Sequence, residues 1–594
     1  MPGVIKLQNP AQAVIENAIE RHPADAGALF EHEVLTALAS VKSADKPAWQ
    51  RLRAKLRKLE GLPFAELERE VRRAEIDADG GGSGGQADRL AAICREQADL
   101  FHDENRVPFA EITVDGHREV LSIQSNQFRD WLSGEFYRQT GGAARAASLS
   151  DALSALTAAA VFCGEQHRVH LRVAKYGEQY VIDLADADWR VVVVDASGWQ
   201  VVDESPVKFR RTENMRPLPE PVAGGDLSKL WQHVNVPEPS RLLVLGWLLE
   251  CFRPDVPFPV LELIGEQGSA KSTTHERLRE LVDPNSVNLR AAPKSAADVF
   301  VASRNSHVVS YNNLSHLGSE LQDNFCTLAT GGGFATRQLY TNGGESLIEA
   351  KRPLSLNGIS TLVTAPDLLE RTVRVLLPRI AVYRSEAELK AAWQSDRGEI
   401  FGGLLDLFAL TLAKLPAVEI DRPPRMADFG NLGEAMSAAL GRPGEFLEAH
   451  AANQRDAIRQ SLEQSPAALA LLEFVQSGRT HNGTFGQLFE SLERHRPVSD
   501  PAWPKTPRGL SDIVRRFAPA LRALGVAVTF HGHTRRGNVV EIFSAEKKTY
   551  PDARSHASQR SQDGGQREHC EDREHLSRQK NHHAEKKSDD RAVF

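Results

Sequence analysis

Cysteine is scarce. Five occur in 594 residues (Cys94, Cys163, Cys251, Cys326 and Cys570), an odd number with no CxxC pair. That excludes a disulfide scaffold or a zinc ribbon and fits a reducing compartment. Long hydrophobic runs are missing too. The most apolar stretch, Leu242 to Leu249, is bounded by Arg241 and Glu250. It falls far short of the roughly 20 residues that span a bilayer. The opening MPGVIKLQNPAQ has no basic start leading into an apolar run, so no signal peptide or membrane partner is expected, and a cytoplasmic location is. There is no excess of positive charge: 72 Lys and Arg stand against 79 Asp and Glu, for a net charge of -7. A polybasic protein is excluded, and any nucleic-acid contact must rest on a local basic patch. No internal repeat is visible. What remains is a chain long enough for several domains, 41% hydrophobic and 25% charged, a composition that can bury cores.

Residues 1–78 read as a helical N-terminal module, with Leu52, Leu56, Leu59 and Leu62 at helical spacing. The glycine-rich 79–86 reads as a flexible linker, because such runs lose too much entropy on ordering. Residues 87–215 read as an α/β accessory domain, with helical pattern at 87–101 and 126–138 and strands at 168–174, 179–184 and 190–194. Its basic cluster, Lys208, Arg210 and Arg211, reads as a solvated edge. A helical lead-in follows at 216–255. Residues 256–380 alternate apolar strands with helical and glycine-rich pieces, the pattern of a parallel sheet. Residues 381–475 read as helical and 476–545 as a separate C-terminal domain. The polar tail 546–594 holds too few apolar residues to offset its ordering entropy and is expected to be disordered.

The strongest motif lies in the parallel-sheet region. The apolar Val260–Ile264 runs into Gly265, Glu266, Gln267, Gly268, Ser269, Ala270, Lys271, Ser272 and Thr273, and then into the helical THERLREL. Strand, glycine loop, Lys-Ser and helix in that order make a phosphate loop. Backbone N–H groups and a helix N-terminus would hold the phosphates of ATP. Lys271 would reach the β and γ phosphates, and the Ser272 hydroxyl would sit on Mg²⁺. Ala270 stands where the pattern has glycine.

Three further strands are expected to complete the site. The run SHVVSYNNLS (306–315) ends where an acid for the metal belongs, yet its end residues are the amides Asn312 and Asn313. An amide can hold a metal-bound water but brings no charge. Glu320 or Asp323 could be folded in as a substitute. The run PLSLNGI (353–359) ends in Asn357, placed to face the γ-phosphate and the attacking water. Arg371, just before the next strand, could reach a neighbouring subunit's nucleotide. Between them, two glycine clusters flank Phe334 and Arg337, an excursion or hairpin off the core.

The C-terminal region is locally basic. Residues 503–536 hold Lys505, Arg508, Arg515, Arg516, Arg522, Arg535 and Arg536 against one acid, Asp512. Thr506-Pro507 starts a helix, Gly525 stops it, and VAVTF and VVEIF make a hairpin. Helix plus basic hairpin suggests a winged helix. Arg508, Arg515 and Arg516 would contact phosphates and Arg535 and Arg536 a groove, with Lys505 also on the DNA-binding side. The fold expected for the whole chain is multidomain α/β: a parallel-sheet phosphate-loop core with helical flanks, an α+β domain before it and a winged-helix domain after it.

The chain resembles superfamily 3 helicases, and in detail the primase-associated ATPases of bacterial phages, plasmids and integrative elements. The resemblance rests on GEQGSAKST (265–273), LVDPN (281–285), NNLS (312–315), CTLATGGGFATRQLYT (326–341), RPLSLNGI (352–359) and DLLER (367–371). It extends upstream to Leu100–Asp103 and 198–211, and downstream to 503–525. It implies that Lys271 and Ser272 bind phosphate and Mg²⁺, that Asn357 is a sensor and Arg371 a finger, and that Arg337 tracks single-stranded DNA. It also implies a ring, a hexamer by type, with duplex DNA at the winged helix and room for a primase acting in trans. Where relatives carry Asp, this chain has Asn312. The expected function is an ATP-dependent DNA helicase or translocase of a mobile-element replication system. The alternatives are an ATP-binding, DNA-binding replication or assembly factor with weak hydrolysis, and a non-replicative switch ATPase.

Overall fold

The computed structural model describes residues 10–59, 61–78, 85–337, 345–463, 465–496, 502–534 and 537–545. The glycine run at 79–84 and the tail from 546 lie outside them.

Four helices, Pro10–Arg21, His32–Ala44, Lys46–Leu56 and Phe64–Ala78, open the chain. Ile15, Leu29, Val34, Leu38, Leu56, Leu67 and Val71 pack into a core of their own. The leucine periodicity across 52–62 is split by a turn at Gly61, whose φ of 79° would strain a side-chain-bearing residue.

The region expected to be one accessory domain at 87–215 divides. Its first part carries Gln86–Gln97, three antiparallel strands (Ala98–His102, Pro108–Val114, His117–Ser122) and the helices Asn126–Thr140 and Ala146–Phe162. They enclose a separate core around Leu90, Ile112, Phe128, Leu132 and Leu156. Residues 98–101, expected as helix, are strand: Phe101 turns inward and stacks on Phe109 opposite it.

The second part is a meander of Val173–Tyr176, Gln179–Asp183, Val191–Asp195 and Gly198–Val202. Tyr180, Ile182, Val192 and Val194 pack into the same core as Leu243, Trp247, Phe401, Leu404 and Phe408. The meander therefore belongs with the main body, and Trp199 fixes it there by donating to Asp406 Oδ1 at 2.7 Å. The strand expected at 168–174 breaks at Leu171-Arg172 because Arg172 turns inward. Its fully buried guanidinium meets Asp283 Oδ1 at 3.0 Å and donates to the carbonyls of Asp183, Arg216 and Pro284. This network accounts for much of LVDPN. Asp283 also accepts from the Val308 N–H and lies 3.6 Å from Arg279. The basic cluster is not a solvated edge. Lys208 pairs with Glu111 at 2.9 Å, Arg211 with Asp183 at 2.7 Å, and Arg210 donates to the Arg304 carbonyl.

The central sheet has four parallel strands. In chain order its elements are β1 (Val260–Ile264), α1 (Lys271–Glu280), α2 (Ala296–Asn305), β2 (Val309–Leu314), α3 (Ser319–Thr330), the hairpin β3 (Gly332–Arg337) and β4 (Glu345–Ala350), β5 (Leu354–Gly358) and β6 (Thr372–Leu376). The spatial order is β2-β5-β1-β6. Both faces are covered, which is why β1 and β5 are buried along their whole length. One ion pair crosses this interior. Glu262 lies opposite Arg374 in register, 2.6 Å away, and its other oxygen accepts the N–H groups of Leu362 and Val363.

The helix Glu386–Lys414 is long and apolar enough to cross a membrane by length and composition. Most of its apolar part is buried, however, with Ile400, Phe401, Leu404, Leu405 and Phe408 inside the protein.

The C-terminal unit begins earlier than 476. Helix Pro466–Gln476 packs on Pro507–Ala523, so the boundary falls before it. Between them stand strand His481–Thr484 and helix Phe485–Leu492. Strands Val526–Thr534 and Gly537–Ser544 follow, and the three strands pair with the last in the centre.

Candidate nucleotide-binding site

Parallel strands end on one edge, and that edge collects the site. β1 ends at Ile264 and passes into the glycine loop. In the ladder Leu263 stands opposite Asn357 and Ile264 opposite Gly358. The loop is tight. A Cβ on Gly265 would fall 2.5 Å from Ser269 Oγ, and one on Gly268 2.7 Å from the Tyr383 hydroxyl. Gly268 has φ 82°, and Ala270, at the start of α1, has φ 53°. A left-handed alanine costs roughly 1 kcal/mol where a glycine would cost nothing.

No side chain caps α1 at its start. The N–H groups of its first turn, at Lys271, Ser272 and Thr273, therefore have no partner within the helix. The Ser269 hydroxyl is buried with no hydrogen-bond partner among the described residues. Lys271 Nζ rests on the Glu266 carbonyl at 2.7 Å, and burial holds its pKa below that of an ordinary lysine. Asn235 staples the loop from outside: its Nδ2 donates to the Ser269 carbonyl at 2.9 Å and to Pro378 O at 2.6 Å. Uncapped donors, close-approach glycines and a lysine resting on a carbonyl suit the phosphates of a nucleotide.

The two amides of β2 are set by a bulge. Tyr311 pairs with Leu356 and Leu314 with Gly358, so Asn312 and Asn313 together oppose the single residue Asn357. Such an insertion takes residues out of the ladder and re-aims them. Asn313 has φ 53°, and its N–H donates to Asn357 Oδ1 at 2.7 Å. Asn312 Oδ1 accepts from Ser272 Oγ at 3.0 Å and from Asn357 Nδ2 at 2.7 Å. Ser272, Asn312 and Asn357 thus form one chain of contacts. Among the described residues no carboxylate hydrogen-bonds to Ser272. Glu320 and Asp323 are exposed on α3 and do not fill that place.

The chain continues into residues that the sequence did not mark. Asn357 Nδ2 also donates to His275 Nδ1 at 2.8 Å. His275 Nε2 lies 2.7 Å from Ser355 Oγ, which lies 2.7 Å from Ser310 Oγ. Burial pushes the His275 pKa down to about 3, so its ring is neutral. A lone histidine four positions after Lys271 gives no sequence signal. Ser310 and Ser355, two small polar residues in apolar strands and opposite each other in the ladder, could have been noticed.

Arg371 lies at the opposite edge, where β6 begins; its carbonyl accepts from Val260 N at the start of β1. Its guanidinium is held within the chain, by the Asp367 carbonyl at 2.6 Å and Asp367 Oδ1 at 2.8 Å, and its side chain is 16% exposed. Asp367 is shared with Cys326 and Arg425. Arg337 ends β3, opposite Glu345 in the hairpin. Nothing is described of its side chain or of residues 338–344. Lys505, Arg508, Arg515 and Arg516 are exposed around helix Pro507–Ala523, whose inner face buries Leu510, Val514, Ala518 and Leu521. Arg515 lies over the Phe530 ring at 4.5 Å. Arg535 and Arg536 fall outside the described residues.

No protein of curated function matches the chain. Two structures of the C-terminal region of NrS-1 align over 77% of this chain and 98% of theirs, at 10% and 11% identity with TM-scores of 0.34 and 0.35. A JCV helicase bound to a substituted phenyl acetamide aligns over 36% of this chain and 65% of its own, at 14% identity and a TM-score of 0.22. Superpositions at that level carry no argument about this chain. The family models are more direct. Residues 228–458 match the replication protein of actinomycete integrative conjugative elements, and residues 467–558 match the C-terminal domain of the RepA protein of those elements. In these two stretches, which include the loop, the amide chain and the basic C-terminal unit, the chain is similar to the replication proteins of actinomycete integrative conjugative elements.

Proposed function

We propose that this replication protein is an ATP-dependent DNA helicase or translocase of the superfamily 3 type. The observation that carries the reading is the continuous contact from the loop to the sensor strand, Ser272 to Asn312 to Asn357, on the same sheet edge as Lys271. Loop residues Gly265 to Thr273 would take the phosphates of ATP, with Lys271 on the β and γ groups. Ser272 and Asn312 would hold Mg²⁺, which when bound neutralises charge developing on the phosphates. Asn357 would orient the attacking water. Arg371 lies at the far edge of a sheet five residues deep, roughly 15 Å from its own loop. It can therefore serve only a neighbour's nucleotide, after leaving Asp367, and this favours a ring assembly such as a hexamer.

DNA would be engaged at two places. The β3–β4 hairpin carrying Arg337 would contact single strands. The C-terminal unit runs helix, strand, helix, helix, strand, strand and supports a winged-helix reading with duplex DNA at Lys505, Arg508, Arg515 and Arg516. ATP turnover with and without single-stranded DNA tests the reading, since a motor must be stimulated. A second reading, an ATP-binding assembly factor with weak hydrolysis, is favoured by one observation: the partner of Ser272 is a neutral amide. Binding without turnover would select it. Turnover indifferent to DNA would leave a switch ATPase.

A further inference from the structure

We propose that His275 is a positioning residue that fixes the sensor amide of Asn357. The inference rests on the nucleotide-site reading above and deepens it. The orientation of Asn357 follows from a fixed donor. The Asn313 backbone N–H can face only an oxygen, so the amide oxygen lies there, 2.7 Å away, and Nδ2 points the other way. Nδ2 carries two hydrogens. One is directed to Asn312 Oδ1 at 2.7 Å, the other to His275 Nδ1 at 2.8 Å. His275 Nδ1 must then offer a lone pair, and the ring proton sits on Nε2, directed at Ser355 Oγ 2.7 Å away. Ser355 in turn meets Ser310 across the ladder.

The consequence is a division of labour between two contacts of one amide. The Asn312 contact lies on the half-exposed side that faces Ser272, at the mouth of the loop. The His275 contact lies inside, where the ring is 1% exposed and wedged between α1 and β5. The hydrogen on Asn312 is the one that can exchange its partner for a phosphate oxygen or a water. The hydrogen on His275 cannot, and it holds the amide plane while the other exchanges. α1 also carries Lys271 and Ser272, so the same ring couples the sensor strand to the helix that begins at the phosphates. A misplaced sensor would leave nucleotide binding intact and slow the chemical step, because positional errors near 1 Å cost about 10²-fold.

The test separates the two ring nitrogens. His275→Asn places an oxygen where Nδ1 stands and keeps an acceptor for Asn357. His275→Gln places its amide where Nε2 stands, keeps the Ser355 contact and loses the Asn357 one. Both leave a comparable cavity, and thermal melting checks that they are equally folded. Single-turnover hydrolysis of radiolabelled ATP then gives the rate and the half-saturating concentration. The expected result is a His275→Asn rate within about threefold of the wild type and a His275→Gln rate lower by at least about tenfold, at unchanged half-saturation. Equal rates for the two variants, or losses that follow melting temperature, overturn the assignment and leave His275 as filling. A wild type that fails to bind ATP refutes the nucleotide-site reading instead. Binding without any measurable turnover refutes the sensor role and this inference together.

Discussion

Replacing Asn312 with aspartate changes one atom and adds one charge at a place the geometry defines. Asn312 Oδ1 already receives the Ser272 hydroxyl at 3.0 Å and the Asn357 amide at 2.7 Å. A carboxylate would keep both donors, and both favour its ionised form, so it stays charged at neutral pH. At about 4 Å from a unit charge and an effective dielectric near 20, the added attraction is roughly 4 kcal/mol before desolvation is subtracted. Removing a comparable group from an active site typically costs about 10²–10³ in rate. Asn312 retains the shape and one acceptor, so the recoverable part is smaller, and Asn312→Asp should raise ATP turnover at least about tenfold, near 1.4 kcal/mol of barrier. Steady-state phosphate release at saturating ATP and Mg²⁺ measures it, with calorimetry confirming that nucleotide affinity is retained. A fall in rate would mean that another carboxylate already serves the site and is crowded by the new one. No change would mean that the end of β2 is not the metal side, and the reasoning from the bulge would fail.

Lys271→Ala should abolish ATP binding, because it removes the only lysine of the loop; unchanged affinity by calorimetry would refute the phosphate assignment. Asp283→Ala should destabilise the fold by about 3–5 kcal/mol in denaturant melts, since it strands the fully buried Arg172. Acid should destabilise the protein below neutrality. Burial pushes His170, His307 and His450 down to about 4 and His275 to about 3, so these rings are neutral in the fold and take up protons on unfolding near pH 6.5. Glu250, raised by burial to about 7, works against them, because the fold holds its proton and gains on acidification. His481 is lowered by burial in the same way and Glu276 raised, so the neutral rings still outnumber the raised carboxylates; a net loss is expected between pH 6.5 and 4, and a melting temperature that is flat or rises from pH 7 to 5 would contradict it. Replacing Arg515 and Arg516 with alanine should weaken duplex binding and lower the salt slope of log K by about 2, as two phosphate contacts are lost; an unchanged slope would remove both from the interface.

How much the sequence revealed depended on whether the signal was local. The loop, the helix start at Thr506-Pro507 and the stop at Gly525 are short-range devices, and the chain carries them where they were expected: Thr506 Oγ1 accepts from Gly509 N, and Gly525 has φ 81°. The division of residues 87–215 was not legible, because nothing between Glu165 and Val173 resembles a linker. What separates the two parts is the partner each buries against, and the partners of the meander include Leu243, Trp247, Phe401 and Phe408, far along the chain. Arg172 shows the difficulty in one residue. A charged side chain in a strand pattern reads as an outward position, yet its counter-ion Asp283 stands 111 positions later and draws it inside.

The site was legible to the same degree and for the same reason. Lys271, Ser272, Asn312 and Asn357 each sit next to a sequence landmark, a glycine loop or the end of an apolar strand. Their order along a parallel sheet is enough to bring them to one edge. The sequence cannot say what each side chain touches once there. The bulge that turns Asn312 towards Ser272 leaves no mark beyond two consecutive amides, and His275 looks like any polar residue on a helix. Arg371 differs again. The sequence placed it before a strand, and a parallel sheet puts the start of a strand at the edge opposite the loops. The same geometry that sets it far from its own loop gives it a partner in Asp367, four residues back, on a turn too short to be read as helix. For Arg371 to serve a neighbour, the attraction of the neighbour's phosphates must exceed that of one half-exposed carboxylate. In the ring assembly proposed above, an approaching triphosphate carries several charges and would compete with Asp367 for the guanidinium.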